Sequence, residues 1–337
     1  MLFTASKRLS VFRLRRMHFA AMAMVLALLP SCQGPATRIN ADHERLGGVQ
    51  GGWAPNAYGG LLFIEGAEGN AKGLPGFRYR QLPKEKLPDL PVPWGLSLAF
   101  SKTTDAELTQ LAHLSTLTVL DLDYTCVTDG GLRELAPLTN LAVLGLANTD
   151  VSGAGLKSLA PFANLNSLRL KRSKVTAADL KELAPCKKLT LLELDDKQLT
   201  DDGLRILHEL GLLHTLADLS RGVRPKSARE VGSVDLRGYP ITDRGLKELR
   251  SLENLTGLAL DGTKITSVGL KELSAFSKLA SLDIVETNVT DAGLDELAAH
   301  KNLVRLNLHN TKVTEKAVQR LREKLPTCKI EIDFAGG

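Results

Sequence analysis

Residues 117–135 read Leu117-Thr118-Val119-Leu120-Asp121-Leu122-Asp123-Tyr124-Thr125-Cys126-Val127-Thr128-Asp129-Gly130-Gly131-Leu132-Arg133-Glu134-Leu135. Leu120-Asp121-Leu122 alternates apolar and polar with period two, the pattern of a strand with one buried face. Leu132 and Leu135 stand three apart, on one face of a helix. Thr128 lies between them and the strand, where its side-chain oxygen can accept from the first free N–H groups of that helix as an N-cap. Asp129 follows, at the positive helix end that favours an acid. The stretch predicts strand, turn and short helix, with apolar faces that so small a unit cannot bury by itself.

The same pattern recurs outward from this stretch with a period of 24 residues, at Leu117, Leu141, Leu165 and Leu189. The register resumes at Val231, Leu255, Leu279 and Leu303. Residues 93–116 form an earlier, degenerate unit with Leu96, Leu98, Thr104, Leu108 and Leu111, and Thr327, Ile330 and Ile332 open a last partial one. Nine units and a terminal strand thus occupy residues 93–337. In every unit a hydroxyl residue opens the second half: Thr104, Thr128, Ser152, Thr176, Thr200, Thr242, Thr266, Thr290 and Thr314. Seven residues later every unit has Leu, from Leu111 and Leu135 to Leu297 and Leu321. Stacked units bury one continuous core. Leu135, Leu159, Leu183, Leu249, Leu273 and Leu297 are therefore expected in one buried row, and Thr128, Thr200, Thr242 and Thr290 at helix starts. Near the end of the array, His300 stands in an otherwise mostly apolar column, which is expected to become solvent-exposed there.

The LxxLxLxxTxVTDxGL units resemble those of leucine-rich repeat proteins. They are most similar to the cysteine-containing subclass, with Thr at 125, 149, 263, 287 and 311 where that subclass has Cys. The resemblance covers residues 93–334. It implies an α/β solenoid, curved, with a parallel sheet on the concave face and short helices on the convex one. It also implies a module that binds other macromolecules, proteins above all.

The candidate binding surface consists of residues between and beside the strand leucines. These are Asp121, Asp123, Arg169, Lys171, Glu193, Asp195, Asp235, Arg237, Asp261, Asp283, Arg305, Asn307 and His309. The surface leans acidic and lacks aromatic side chains in these columns, although aromatics dominate tight interfaces. Alternating charge for solubility is the competing account. No catalytic or phosphate-binding motif is present, the recurring glycines follow the repeat, and the acids come from different strands rather than one cation-binding loop. No enzyme activity, cofactor or metal is expected.

One break interrupts the period. Leu189 and Val231 are 42 residues apart, 18 more than one repeat. The extra residues, near 208–230, end in a basic run, Arg221, Arg224, Lys226 and Arg229 against Glu230. This insertion is expected to leave the stack from the convex side or its edge and dock a partner, with its two flanking strands still neighbours in one sheet. In the competing account, Gly211 to Leu219 pad the core and the basic loop is only solvated.

Residues 33–92 hold 11 Gly and 6 Pro yet also Trp53, Tyr58, Phe63, Phe77 and Tyr79. A linker followed by irregular structure that caps the solenoid is expected over 32–92, with a short strand at Leu61–Ile64. Upstream, Lys7, Arg8, Arg13, Arg15 and Arg16 precede an 11-residue apolar run from Phe19 to Leu29, too short to span a bilayer as a helix. Residues 1–31 thus read as a signal peptide. Leu29-Pro30-Ser31-Cys32 resembles the lipobox of bacterial lipoproteins, which implies lipid on Cys32 and membrane attachment through that lipid alone. Cleavage after Ala36 would instead give a plain exported chain.

The formal charge of +5 comes from this segment, since the remainder has 38 basic and 38 acidic residues. Nucleic acid, which needs a basic face, is not an expected partner. Cys126, Cys186 and Cys328 match neither a zinc nor a disulfide pattern and are expected to fill repeat positions as small apolar residues. The chain is thus expected to be a binding module of the bacterial envelope, with a structural spacer as the alternative. Cys32→Ser should abolish metabolic labelling with a radioactive fatty acid and leave the precursor unprocessed; an unlabelled wild-type chain beginning at Thr37 would refute the anchor.

Overall fold

The computed structural model describes residues 43–55, 61–65, 74–218 and 224–333. Cys32, the proposed signal peptide and Arg221 lie outside these residues. From β4 (Trp94–Ser97) onward, strands alternate with a turn and a short α- or 3₁₀-helix, and except after the strand at Leu191–Glu193 the next strand lies parallel, 24 residues on. Leu120 pairs with Leu144, Leu144 with Leu168, and Leu168 with Leu192, through β5 (Leu117–Asp121), β6 (Val143–Gly145), β7 (Ser167–Arg169) and β8 (Leu191–Glu193). The chain is an α/β leucine-rich repeat solenoid with strands on one side and helices on the other.

The expected leucine row is buried. Leu135, Leu183, Leu249, Leu273 and Leu297 have no exposed surface and Leu159 has 1%. They belong to one core that runs from Phe77 to Ile330. The threonines at 125, 149, 263, 287 and 311 are buried or nearly so, and each hydroxyl donates to the main-chain carbonyl three residues earlier. His300 is buried rather than exposed, because the unit containing β12 (Arg305–Asn307) and β13 (Lys329–Glu331) still stacks beyond it. Burial lowers its pKa. Cys186 and Cys328 are buried, whereas Cys126 is exposed.

The hydroxyl column does more than cap helices. Thr128, Thr200 and Thr242 accept from Gly130, Gly203 and Arg244 N–H. Thr290 makes no such bond; its N–H donates to Ser267 Oγ at 2.9 Å. Asp129, expected at its own helix end, reaches forward to the next repeat, as do its counterparts. Each takes the main-chain N–H and the hydroxyl of the next capping residue, on its two carboxylate oxygens. Asp105 holds Thr128, Asp129 holds Ser152, Asp201 holds Thr242, Asp243 holds Thr266 and Asp291 holds Thr314, at 2.5–2.8 Å. Gly153 stands where Asp would reach Thr176, and there the carboxylate of Asp179, from Thr176's own helix, fills the gap.

The sheet is not continuous. An eight-stranded sheet ends at β8, and a five-stranded parallel sheet starts at β9 (Ser233–Asp235) and includes β10 (Gly257–Ala259) and β11 (Ser281–Asp283). The expectation that the strands at Leu189 and Val231 stay paired is therefore wrong. For the described residues 211–218, so is the expected projection from the convex side or its edge. Leu212, Leu213, His214 and Thr215 are buried, and Ala217 pairs antiparallel with Val234. The insertion wedges between the sheets because its leucines need the core and its main chain needs partners. His214 Nε2 lies 2.8 Å from the Leu189 carbonyl, and the Tyr239 hydroxyl donates to the Leu194 carbonyl across the break. On the helix side the stack persists, with Asp201 tied to Thr242 and the core unbroken.

The segment over 43–92 is ordered where described, not irregular. β1 (Val49–Pro55) pairs antiparallel with β2 (Leu61–Glu65) and β3 (Leu74–Arg78), and β3 pairs parallel with β4. His43, Phe77, Tyr79 and Trp94 close the end of the main core, with His43 stacked on Phe77 at 4.0 Å and Nδ1 2.6 Å from the Tyr79 hydroxyl. Asp129→Ala and Asp243→Ala should each cost about 1.5–3 kcal/mol, the range for hydrogen bonds to a charged group. Asp150→Ala, which removes only an exposed pair with Lys174, should cost about 0–1 kcal/mol. Chemical denaturation checks both, and equal losses would refute the inter-repeat tie.

Candidate functional site

The N-terminal hairpin folds onto the start of the strand face. Trp53 and Phe63 pack there with Val119 and Val143 in a second small core. The indole sits over Gly76 and Gly95, where a Cβ would collide with it. Two glycines thus let a tryptophan lie flat against the sheet.

Next to this lid, Arg169 on β7 reaches across β6 to β5. Its Nη2 lies 2.5 Å from Asp121 Oδ1 and its Nε 2.7 Å from Asp123 Oδ2. Gly145, between them on β6, makes the crossing possible: a Cβ there would collide with the guanidinium and lie 2.6 Å from Asp123 Oδ1. The three side chains retain only 12–16% of their exposure. Two carboxylates share one guanidinium. Burial, with the charge of Asp121 added, pushes the Asp123 carboxyl up to about 7, against the opposing pull of Arg169 and of the Ala147 N–H it accepts.

A cavity of about 690 Å³ opens over this cluster. Asp121, Asp123, Arg169 and Glu193 form its floor, and Phe63, Arg78, Arg80, Ala99, Phe100 and Tyr124 its remaining lining. Phe100 and Tyr124 stack at 4.5 Å and 13°, and Phe100 keeps 77% of its surface exposed. The expectation of a face without aromatic anchors does not hold at this end. Both residues have positive φ, 61° and 57°, in a turn column that holds Asn148, Arg172, Gly238, Gly262, Glu286 and Asn310 in other repeats. Bulky residues there are outliers. Two aromatics in a column otherwise held by Asn, Gly and charged residues were the sequence signal; they lie just beyond the two columns considered.

The other candidates do not join this site as one surface. Lys171 reaches Glu193 at 3.7 Å, and Asp195 accepts the Arg172 and Lys197 N–H groups. Beyond the break, Arg237 pairs with Asp235 at 2.5 Å and Arg305 with Asp283 at 3.1 Å. Asp261 accepts the Val285 N–H, and burial raises its pKa. Asn307 accepts the His309 N–H, and His309 lies 2.8 Å from Asp333. A smaller cavity of about 240 Å³ lies at the break, with Lys171, Glu193, Asp235 and Tyr239 in its lining.

Arg224 is half-buried, which lowers its pKa against the pull of Glu193. Lys226 and Arg229 are exposed, and Arg229 lies 3.9 Å from Glu253. Among the described residues, no group of three or more His, Cys, Asp or Glu is placed to hold a metal ion. No helix among them is long and apolar enough to cross a membrane.

No known sequence family and no curated protein matches the chain. Among solved structures it is similar to an internalin of Listeria monocytogenes, with 23% identity and a TM-score of 0.49 over 72% of this chain and 75% of that one. A leucine-rich repeat protein of Leptospira interrogans gives 22% and 0.48 over 71% and 72%. Internalin C2 of Listeria monocytogenes gives 20% and 0.41 over 68% and 84%.

The Asp123 carboxyl fixes a pH dependence. Between its ordinary 3.8 and about 7, the folded chain holds a proton that the unfolded chain releases. Its contribution to stability is therefore full at low pH and is lost as pH rises through 7. Relative to Asp123→Asn, the wild type should lose stability between pH 5 and pH 8 in urea unfolding. A difference independent of pH would refute the assignment.

Proposed function

We propose that this chain is a non-enzymatic recognition module of the bacterial cell envelope that docks a protein on its strand face. In this reading residues 1–31 export it, lipid on Cys32 holds it to a membrane, residues 32–92 link and cap, and residues 93–337 present the surface. No cofactor is involved, and a charge-neutral mature chain offers nucleic acid no basic face.

One observation carries the reading: a stacked, exposed Phe100–Tyr124 pair beside a cavity of about 690 Å³. Aromatic anchors beside well-formed pockets dominate binding energy at interfaces. Holding each of these bulky residues in the left-handed region costs on the order of 1–3 kcal/mol. Arg172 and Glu286 adopt the same backbone in their repeats, so it is the exposed ring stack itself for which a spacer has no use.

The test is capture from envelope extract with the purified protein immobilised, wild type against Phe100→Ser/Tyr124→Ser. Both rings project to solvent, so the variant should fold and unfold like the wild type. A partner held by the wild type should be depleted at least about tenfold by the variant, about 1.4 kcal/mol and within the range for interface anchors. Identical protein profiles would favour the structural spacer.

A further inference from the structure

We propose that the cavity at the N-terminal end of the strand face receives an arginine or lysine side chain of the partner, its charge above the Asp121–Asp123–Glu193 floor and its stem against the Phe100–Tyr124 stack. This rests on the reading that the face docks a protein and names the chemistry that the protein must present.

Charge balance at the floor is the first argument. Asp121, Asp123 and Glu193 face a single buried guanidinium, that of Arg169. Outside the cavity lining Glu193 has two further basic neighbours, Lys171, half-exposed and 3.7 Å away, and the half-buried Arg224. The two arginines of the mouth do not compensate the floor. Arg78 is committed to Glu65 at 2.7 Å, and Arg80 is exposed. An exposed charge is screened by water and salt, whereas carboxylates with 14–16% of their surface left are screened far less. Asp121 and Glu193, joined by Asp123 as it ionises at about 7, outweigh the one buried guanidinium, so the field at the bottom is negative and disfavours an anionic ligand.

The aromatic pair is the second argument. The stacked rings present an open face on Phe100, and a cation over such a face is attracted by the ring quadrupole. The same cavity already contains one instance within the chain, with the Arg78 guanidinium 4.8 Å from the centroid of Phe63. The long apolar stem of Arg or Lys suits the aromatic wall while its head reaches polar groups. A neutral sugar ring could stack on Phe100, but it would leave the floor carboxylates uncompensated.

The experiment follows the Phe100 and Tyr124 ring resonances of the purified protein by NMR. It is titrated with acetyl-Gly-Arg-Gly-amide and with the same peptide carrying citrulline, a neutral isostere of arginine. The arginine peptide should shift both rings saturably, and citrulline should bind at least about fivefold more weakly, in the range of a partly desolvated cation–π contact. Glu193→Gln should weaken the arginine peptide similarly, and Phe100→Ala should remove the preference for arginine over citrulline. Equal binding of the two peptides would overturn the proposal, as would saturation of these resonances by methyl β-glucoside but not by the arginine peptide. Partner capture that depends on Phe100 and Tyr124 but not on Glu193 would leave the docking reading standing and sink this one.

Discussion

Helices in this chain start with free N–H groups, and in most repeats the capping residue that accepts from them is itself held by the repeat before. A carboxylate takes the main-chain N–H and the hydroxyl of the capping residue in the next unit. Since a buried or half-buried N–H without a partner costs free energy, this bond favours one register between neighbours. The leucine core supplies the gross drive to stack, because no unit can bury its own apolar face. The carboxylate tie supplies direction and spacing. Where Gly153 and Ala177 replace the aspartate, Thr176 turns to its own Asp179 and the Thr200 N–H to the Gln198 carbonyl.

The tie resumes at Asp201 and spans the insertion, which explains how a break in the sheet leaves the solenoid intact. The helix side keeps its bond from Asp201 to Thr242 while the strand side admits a wedge. Tyr239 stands in the column that usually holds threonine, and its longer side chain reaches the Leu194 carbonyl across the gap. The strand face is thereby divided. The first field is roofed at one end by the N-terminal hairpin and holds the cavity. The second, from β9 onward, has its ion pairs within a strand or between near neighbours. A surface that a repeat-by-repeat count treats as uniform has one differentiated end.

That end owes its geometry to a missing side chain. Gly145 leaves room for a guanidinium to bridge two strands, and the bridge places a buried positive charge between two carboxylates. Replacing water by this arrangement is costly in a low-dielectric site, and the raised pKa of Asp123 is the sign of that cost. Hairpin and glycine act together: Trp53 and Phe63 close the floor at one side, and the Phe100–Tyr124 stack stands at the other.

The sequence by itself determined the period, the leucine row and the place of each helix start. These follow from burial and hydrogen bonding within a few residues, and such constraints repeat visibly at 3.6, 2 and 24 residues. It also exposed the candidate charges Asp121, Asp123, Arg169 and Glu193, though as two columns rather than one cluster. Only the tertiary structure decided that Asp129 serves Ser152 and not its own helix, since both readings share the same residue and the same positive end. Only it decided that residues 211–218 wedge between two sheets, because where an aperiodic segment finds core and partners depends on contacts the period does not encode. The hairpin over Val119 and Val143 and the pairing of Phe100 with Tyr124 belong to the same class: through-space contacts, set by how stacked units bring distant side chains together.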